Sequence, residues 1–191
     1  NSIISDNAGN GGNGGTGTYV NGGDGGNTYG IYFLYSDLNS FHNNSICSGD
    51  AGNGGDGGAG MYSGGGDGGS SYGLYAEYSS SNHFENNTLH SGEEGDAGTK
   101  GAGMYGSNGI NGEDIGLILM EESDSNILFH NSVINDDSLA FDECVNQYYN
   151  GSNQGGNYWS GHSCVGNPSD GSYPYCISGG TCSLRNSAHS L

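Results

Sequence analysis

One segment returns along this chain at a nearly fixed interval, and it limits the fold more than anything else in the sequence. Asn1-Ser2-Ile3-Ile4-Ser5 recurs as Asn44-Ser45-Ile46-Cys47-Ser48, as Asn87-Thr88-Leu89-His90-Ser91 and, loosely, as Asn131-Ser132-Val133-Ile134-Asn135, in steps of 43, 43 and 44 residues. Self-similarity at a period of roughly 20–50 residues marks a stacked architecture, in which each unit buries its apolar face only against its neighbours.

Every repeat has the same parts in the same order. A short β-branched run opens it, followed by a glycine stretch (9–17, 52–60, 95–103) and then Gly17-Thr18-Tyr19, Gly60-Met61-Tyr62 or Gly103-Met104-Tyr105. A second glycine stretch leads to Tyr29-Gly30-Ile31-Tyr32, Tyr72-Gly73-Leu74-Tyr75 or Ile115-Gly116-Leu117-Ile118. A polar corner at Asn39, Asn82 or Asn126 precedes Phe41, Phe84 or Phe129. The alternating runs read as strands with one face inward, and Gly, Asn, Asp and Ser between them supply turns. Equivalent side chains then form columns, with Tyr29/Tyr72, Tyr32/Tyr75 and Tyr35/Tyr78 as aromatic ones.

The glycine stretches carry an internal period of three, with Gly9, Gly12, Gly15 interleaved with Gly11, Gly14, Gly17. That period suits an extended left-handed three-fold chain whose neighbours approach closely enough to hydrogen-bond. Constant spacer length favours order over a flexible linker, although composition alone would permit disorder. Forty-three residues fit either two turns of a β-helix or one turn carrying a glycine-rich arm.

Charge narrows the class of partner. The 191 residues hold 41 glycines, and only Lys100 and Arg185 stand against 21 acidic side chains, a net charge of −19. Such a surface does not neutralise phosphates, which argues against nucleic acid and anionic membranes. No apolar run approaches the ~18 residues of a membrane span, so no membrane insertion is expected. Cations, neutral glycans and copies of itself are the expected partners. The chain opens in mid-repeat without Met and reads as a processed product or fragment.

Cys144, Cys164, Cys176 and Cys182 crowd the last quarter without a CxxC pair, so disulfides in an oxidising, extracellular setting are expected rather than zinc. Cys47 stands alone in sequence and reads as a small buried hydrophobe in a ladder, with an intermolecular bridge as the alternative. The sequence divides into residues 1–147, a glycine-rich stack of 43-residue repeats, and residues 148–191, an aromatic, cysteine-rich cap. Such a cap would protect strand edges that otherwise polymerise.

Candidate chemistry is sparse. Glu93-Glu94, Glu121-Glu122 and Asp136-Asp137 are adjacent pairs, and strand neighbours point to opposite faces. No catalytic residue is expected. Asp24 and Asp67 share register in Gly-Asp-Gly-Gly motifs and form a weak calcium column, the one candidate cofactor. Asn43, Asn86 and Asn150 open Asn-x-Ser/Thr acceptors for N-glycosylation.

Gly156-Asn157-Tyr158-Trp159-Ser160 followed by Pro174-Tyr175-Cys176-Ile177, together with the Gly-Ile-Tyr, Gly-Leu-Tyr and Asn-Asn-Ser/Thr-aliphatic strands, resembles the NosD-type right-handed β-helix repeat proteins, especially archaeal cell-surface ones. Those proteins have shorter turns without these glycine inserts and cysteines. The resemblance implies an exported, all-β, right-handed parallel β-helix (solenoid) and no catalytic residue. The expectation is an extracellular, cell-surface structural protein that assembles end to end into a fibre, sheath or surface layer. The Asn1–Ser5 strand (Asn1, Ile3) is expected to meet the Tyr148–Trp159 segment (Tyr148, Tyr158, Trp159), within a chain or between chains. A carbohydrate-binding or adhesive module with sugar-stacking tyrosines is the runner-up, and a polysaccharide-degrading enzyme comes third.

Overall fold

The computed structural model describes residues 1–134, 138–148 and 157–160. All regular structure among them is β, and every strand pairing is parallel. The first repeat supplies β1 (Ser2–Ile4), β2 (Thr16–Tyr19), β3 (Thr28–Leu34) and β4 (Ser40–His42). The second supplies β5 (Ser45–Cys47), β6 (Ala59–Tyr62), β7 (Ser71–Glu77) and β8 (His83–Glu85). The third gives β9 (Thr88–His90), β10 (Asp114–Met120) and β11 (Ile127–Phe129).

Each of the first two repeats places one strand in each of four sheets and the third places one in three of them, so 43 residues make one layer rather than two. The register is direct: Ile3 pairs with Ile46, Ile31 with Leu74 and Phe41 with Phe84. A Tyr62–Tyr105 bridge extends the β2–β6 pair into the third layer.

Three of the sheets enclose the core. Ile46, Leu74, Leu89, Leu117 and Leu119 are wholly buried there, with Phe84, Leu128 and Val133 beside them. Two corners of this body are set by asparagine ladders. Asn44, Asn87 and Asn131 each donate a backbone N–H to the side-chain oxygen of the asparagine one layer on (Asn87, Asn131, Asn157), at 2.9–3.0 Å. Asn39, Asn82 and Asn126 do the same towards Asn82, Asn126 and Asn146, at 2.8 Å. Before the ladder residues the chain turns through positive φ, at Leu38, Asn43, Ser81, Asn86, Ser125 and His130. That conformation costs about 1–2 kcal/mol for a residue with a Cβ. The ladders hold these corners by giving otherwise orphaned backbone donors an acceptor.

Layering continues past the point where the 43-residue pattern fades. β12 (Ser132–Ile134) adds to the β1–β5–β9 sheet, and β13 (Ser138–Asp142) stacks on β10 with an offset of 23 residues (Ile115 to Ser138). Gln147 bridges to Ile127, and β14 (Tyr158–Trp159) pairs with β12. Only residues 135–137 separate β12 from β13, where residues 5–27 separate β1 from β3. The fourth layer therefore keeps the body and lacks the glycine insert.

Tyr148 and Trp159 are 4% and 2% exposed and belong to the core cluster. β1 and β14 lie at opposite edges of one five-stranded sheet, so within the chain they do not meet.

Candidate functional site

The inserts form an arm that stacks in step with the body. In the first layer, limbs 9–15 and 20–26 run back along each other, joined by Gly23 N–H to Gly12 O (2.8 Å) and Gly26 N–H to Gly9 O (3.0 Å). The next layer bonds down onto it, Gly52 to Gly26 O, Gly55 to Gly23 O and Gly58 to Val20 O, at 2.7–2.9 Å. The period of three seen in the sequence is thus also the period of hydrogen bonding. A Cβ on Gly52, Gly55 or Gly58 would collide with the carbonyl of Gly9, Gly12 or Gly15. Glycine is required there because backbone packs directly on backbone.

The outer position of each triplet has its own task. Asn7, Asn10 and Asn13 accept the N–H of Asp50, Asn53 and Asp56 through Oδ1 at 2.9–3.0 Å. Asp24 accepts from Asp67 N–H, and Asp67 from Ile110 N–H, both at 2.9 Å. One oxygen of each candidate calcium ligand is therefore engaged in layer stacking. Among the described residues no group of three or more His, Cys, Asp or Glu side chains converges as a metal site.

Among the described residues nothing lies beneath the first layer. Gly9, Gly12 and Gly15 are exposed, and a Cβ on any of them would meet nothing within 4 Å. Their N–H groups, and the carbonyls of Asn7, Asn10 and Asn13, make no hydrogen bond to a described residue. The body ends in the same plane: Ile3, Ile31 and Phe41 are only partly buried, whereas their partners Ile46, Leu74 and Phe84 are at most 1% exposed.

The tyrosine columns are real, with one difference in geometry. Tyr29–Tyr72 and Tyr35–Tyr78 stack with centroids 5.2 and 4.8 Å apart, while Tyr32–Tyr75 meet edge to face at 5.3 Å. A further column, Tyr19–Tyr62–Tyr105, runs along the arm tip at 4.8 and 5.2 Å beside exposed Met61 and Met104. Stacking occupies ring faces within a column, and the Tyr32, Tyr75 and Tyr78 hydroxyls donate to Glu77, Met120 Sδ and Glu121 of the next layer. Burial, and next the Glu77 charge, pushes Tyr75 up to about 12. The Glu121 carboxylate raises Tyr78.

Between arm and body lies a groove of about 470 Å³, lined by Asp50, Asn53, Glu93, Glu94, Asp96 and Asp114. Apart from Asn53 and Ala51 the lining is acidic and holds no basic side chain, so it presents no acid–base pairing of unlike groups. Glu121 and Glu122 sit in a positive-φ turn, and Glu121 accepts from the Tyr78 hydroxyl at 3.3 Å. Asp136 and Asp137 fall outside the described residues.

The glycosylation acceptors Asn43 and Asn86 are exposed and occupy equivalent positive-φ corners of adjacent layers; Asn150 lies outside the described residues. Cys144, expected in a disulfide, is a free thiol whose Sγ donates to Leu119 O at 3.9 Å, and burial raises its pKa. Cys164, Cys176 and Cys182 lie outside the described residues. Cys47 is also a free thiol, half-buried rather than buried, because its strand neighbour Ile46 takes the inward face. Among the described residues no helix is long and apolar enough to cross a membrane.

No family model, curated protein or solved structure matches the chain.

Proposed function

We propose that this chain is an extracellular structural protein, a right-handed parallel β-solenoid of the NosD type that self-associates by adding layers in register. One observation carries the reading. Each layer is complementary to a copy of itself: a Cβ on Gly52, Gly55 or Gly58 would collide with the carbonyls beneath, and Gly9, Gly12 and Gly15 present the same glycine surface. The plane joins three complementary elements: glycines that admit a backbone, free donors and acceptors, and the partly exposed apolar ends of Ile3, Ile31 and Phe41. Unpaired strand edges over an open core recruit further strands. The strongly acidic composition and the Asn43 and Asn86 corners fit a glycan-bearing surface setting, with any disulfide belonging to the region that holds Cys164, Cys176 and Cys182.

Light scattering on the purified chain, with electron microscopy of the native material, tests the reading. Concentration-dependent association is expected, lost when Gly12→Leu places a side chain in the open plane. A monomer at all concentrations would refute it. A second reading, adhesion, draws on the exposed Tyr19–Tyr62–Tyr105 edge and Met61 and Met104 at the arm tip. Retention on a glycan column that is lost with Tyr62→Ser and unaffected by Gly12→Leu would favour it.

A further inference from the structure

Six Asn-Gly steps fall within the arms, at Asn10, Asn13, Asn21, Asn53, Asn108 and Asn111. Asparagine is a thermally labile residue, and a following glycine has no side chain to hinder attack on its amide. In an open chain the Gly nitrogen attacks Asn Cγ, and a Cγ–N bond forms. The Cγ–Nδ2 bond breaks, and ammonia leaves carrying the proton of the Gly nitrogen. Water then opens the cyclic imide at either carbonyl. One opening leaves aspartate; the other leaves isoaspartate, with a methylene inserted into the main chain.

Both groups that would react are held in this fold. Asn10 Oδ1 accepts the N–H of Asn53 at 2.9 Å, while Gly11 N–H donates to the Asn53 carbonyl at 2.7 Å. Asn13-Gly14, Asn21-Gly22 and Asn53-Gly54 grip Asp56, Gly64 and Asp96 of the next layer in the same two-point way, at 2.7–3.0 Å. The third layer grips its own arm instead. Asn108 and Asn111 accept from Lys100 and Ala97 at 2.9 Å, and Gly109 and Gly112 donate to Gly98 and Gly95 at 3.0 and 2.9 Å. The ring closes only if the carboxamide swings onto the Gly nitrogen and that nitrogen gives up its hydrogen-bonded proton. Peeling one strand of the arm releases both restraints together.

The two products differ in what they do to the stack. Asp24, Asp56 and Asp67 already hold the N–H groups of Asp67, Thr99 and Ile110 at 2.8–2.9 Å, so aspartate keeps the hook. Isoaspartate lengthens a triplet. The arm has no slack for that, since even a Cβ on Gly52, Gly55 or Gly58 would collide with the carbonyl of Gly9, Gly12 or Gly15.

We propose that these six steps are deamidation sites shut by stacking, and that a peeled arm is marked irreversibly by reaction with water. The proposal concerns the single chain and holds whether or not copies associate. A stacked arm keeps its amides; a peeled one gains isoaspartate and does not return to register. Each conversion also adds a negative charge to a chain already at −19, which disfavours restacking.

Peptide mapping by mass spectrometry tests this on the full chain, incubated at mildly alkaline pH with and without denaturant. The native chain is expected to lose the six amides at least about a hundredfold more slowly than the denatured chain, because each site reacts only through local opening. Asp96→Pro removes the N–H that Asn53 holds and should speed deamidation at Asn53 at least about tenfold, with the other five sites unchanged. Equal rates in native and denatured chain would overturn the proposal, as would a folded Asp96→Pro chain whose Asn53 stays slow. If that variant does not fold, wild-type hydrogen exchange decides. Deamidation at each Asn should rise with the exchange rate of the Gly amide after it, and rates that do not follow exchange would overturn the clamp. For the marking, chains deamidated in denaturant are returned to native conditions. Those carrying isoaspartate should lack arm amide protection, whereas the combination N10D, N13D, N21D, N53D, N108D and N111D should show it. Full protection in the isoaspartate chains would overturn the irreversible mark.

Discussion

The arm and the body solve the same stacking problem by opposite means. In the body, one repeat recognises the next through what its side chains fill: Ile46 under Leu89, Leu74 under Leu117, and asparagine on asparagine. In the arm, recognition rests on what is absent, since backbone meets backbone only where no Cβ intervenes. Even the hydrogen-bonded hooks run in opposite directions. A body asparagine accepts the N–H of the layer before it, whereas an arm asparagine or aspartate accepts the N–H of the layer after it. Apolar burial and backbone complementarity therefore act in parallel within one 43-residue unit. A change harmless to one half should be severe in the other.

The largest effect should come from reversing the rule in each half. Gly66→Leu would drive a side chain into the Gly23 carbonyl and is expected to cost roughly 4 kcal/mol or more, among the severe single substitutions. Leu117→Ala empties a wholly buried core position and should cost about 3 kcal/mol. Hydrogen exchange after each change sharpens the contrast: Gly66→Leu should release arm amides first and Leu117→Ala those of the body. Uniform release in both variants would mean that arm and body are one cooperative unit.

Next in size is the body hook. Asn131→Ala leaves the buried Asn87 N–H without its acceptor, removes the Asn87 side-chain bond and the Asn131 amide bond to Phe84 O, and should cost about 2 kcal/mol, read from a denaturant midpoint. A loss below half of that would show the corner to be held by apolar packing instead.

Alkaline pH acts on the body in the same range. Burial, and then the Asp142 charge, raises Tyr148 well above 10, and its hydroxyl donates to Asp142 Oδ2 at 2.7 Å. The unfolded chain releases this proton near pH 10 while the folded chain keeps it, so folded protein binds more protons above pH 10. Stability is therefore complete below pH 10 and falls as pH rises, by at most about 1.4 kcal/mol per pH unit for one such group. Tyr75, pushed up to about 12, adds to the fall between pH 10 and 12. Tyr148→Phe should flatten the decline; an unchanged slope would remove Tyr148 as its source.

The smallest effect belongs to the arm hook. Asp67→Ala should cost at most about 1 kcal/mol, because the Ile110 N–H it leaves is exposed to water, and Asp67→Asn should cost nothing measurable. Calcium-dependent melting abolished by Asp67→Asn would instead assign the Asp24–Asp67 column to a cation.

Much of the stack was legible because register survives in the sequence wherever every layer has the same length. The columns Ile3–Ile46–Leu89 and Tyr29–Tyr72 could be read by counting. What escaped was whatever broke the count. The fourth layer returns at an offset of 23 residues, so Tyr148 and Trp159 looked like a plug when they are core residues of further layers. The choice between one turn and two was also hidden, since composition does not say whether a glycine stretch goes round the core or leaves it.

The armless fourth layer carries a consequence for how such a chain changes over generations. An internal repeat that lost its arm would leave a slot one strand spacing deep, about 4.8 Å, between two planes of glycine. Neither neighbour could fill that slot with side chains without losing its own fit. Arms can therefore be shed or added only at a terminus of the stack, in order, like carriages on a train.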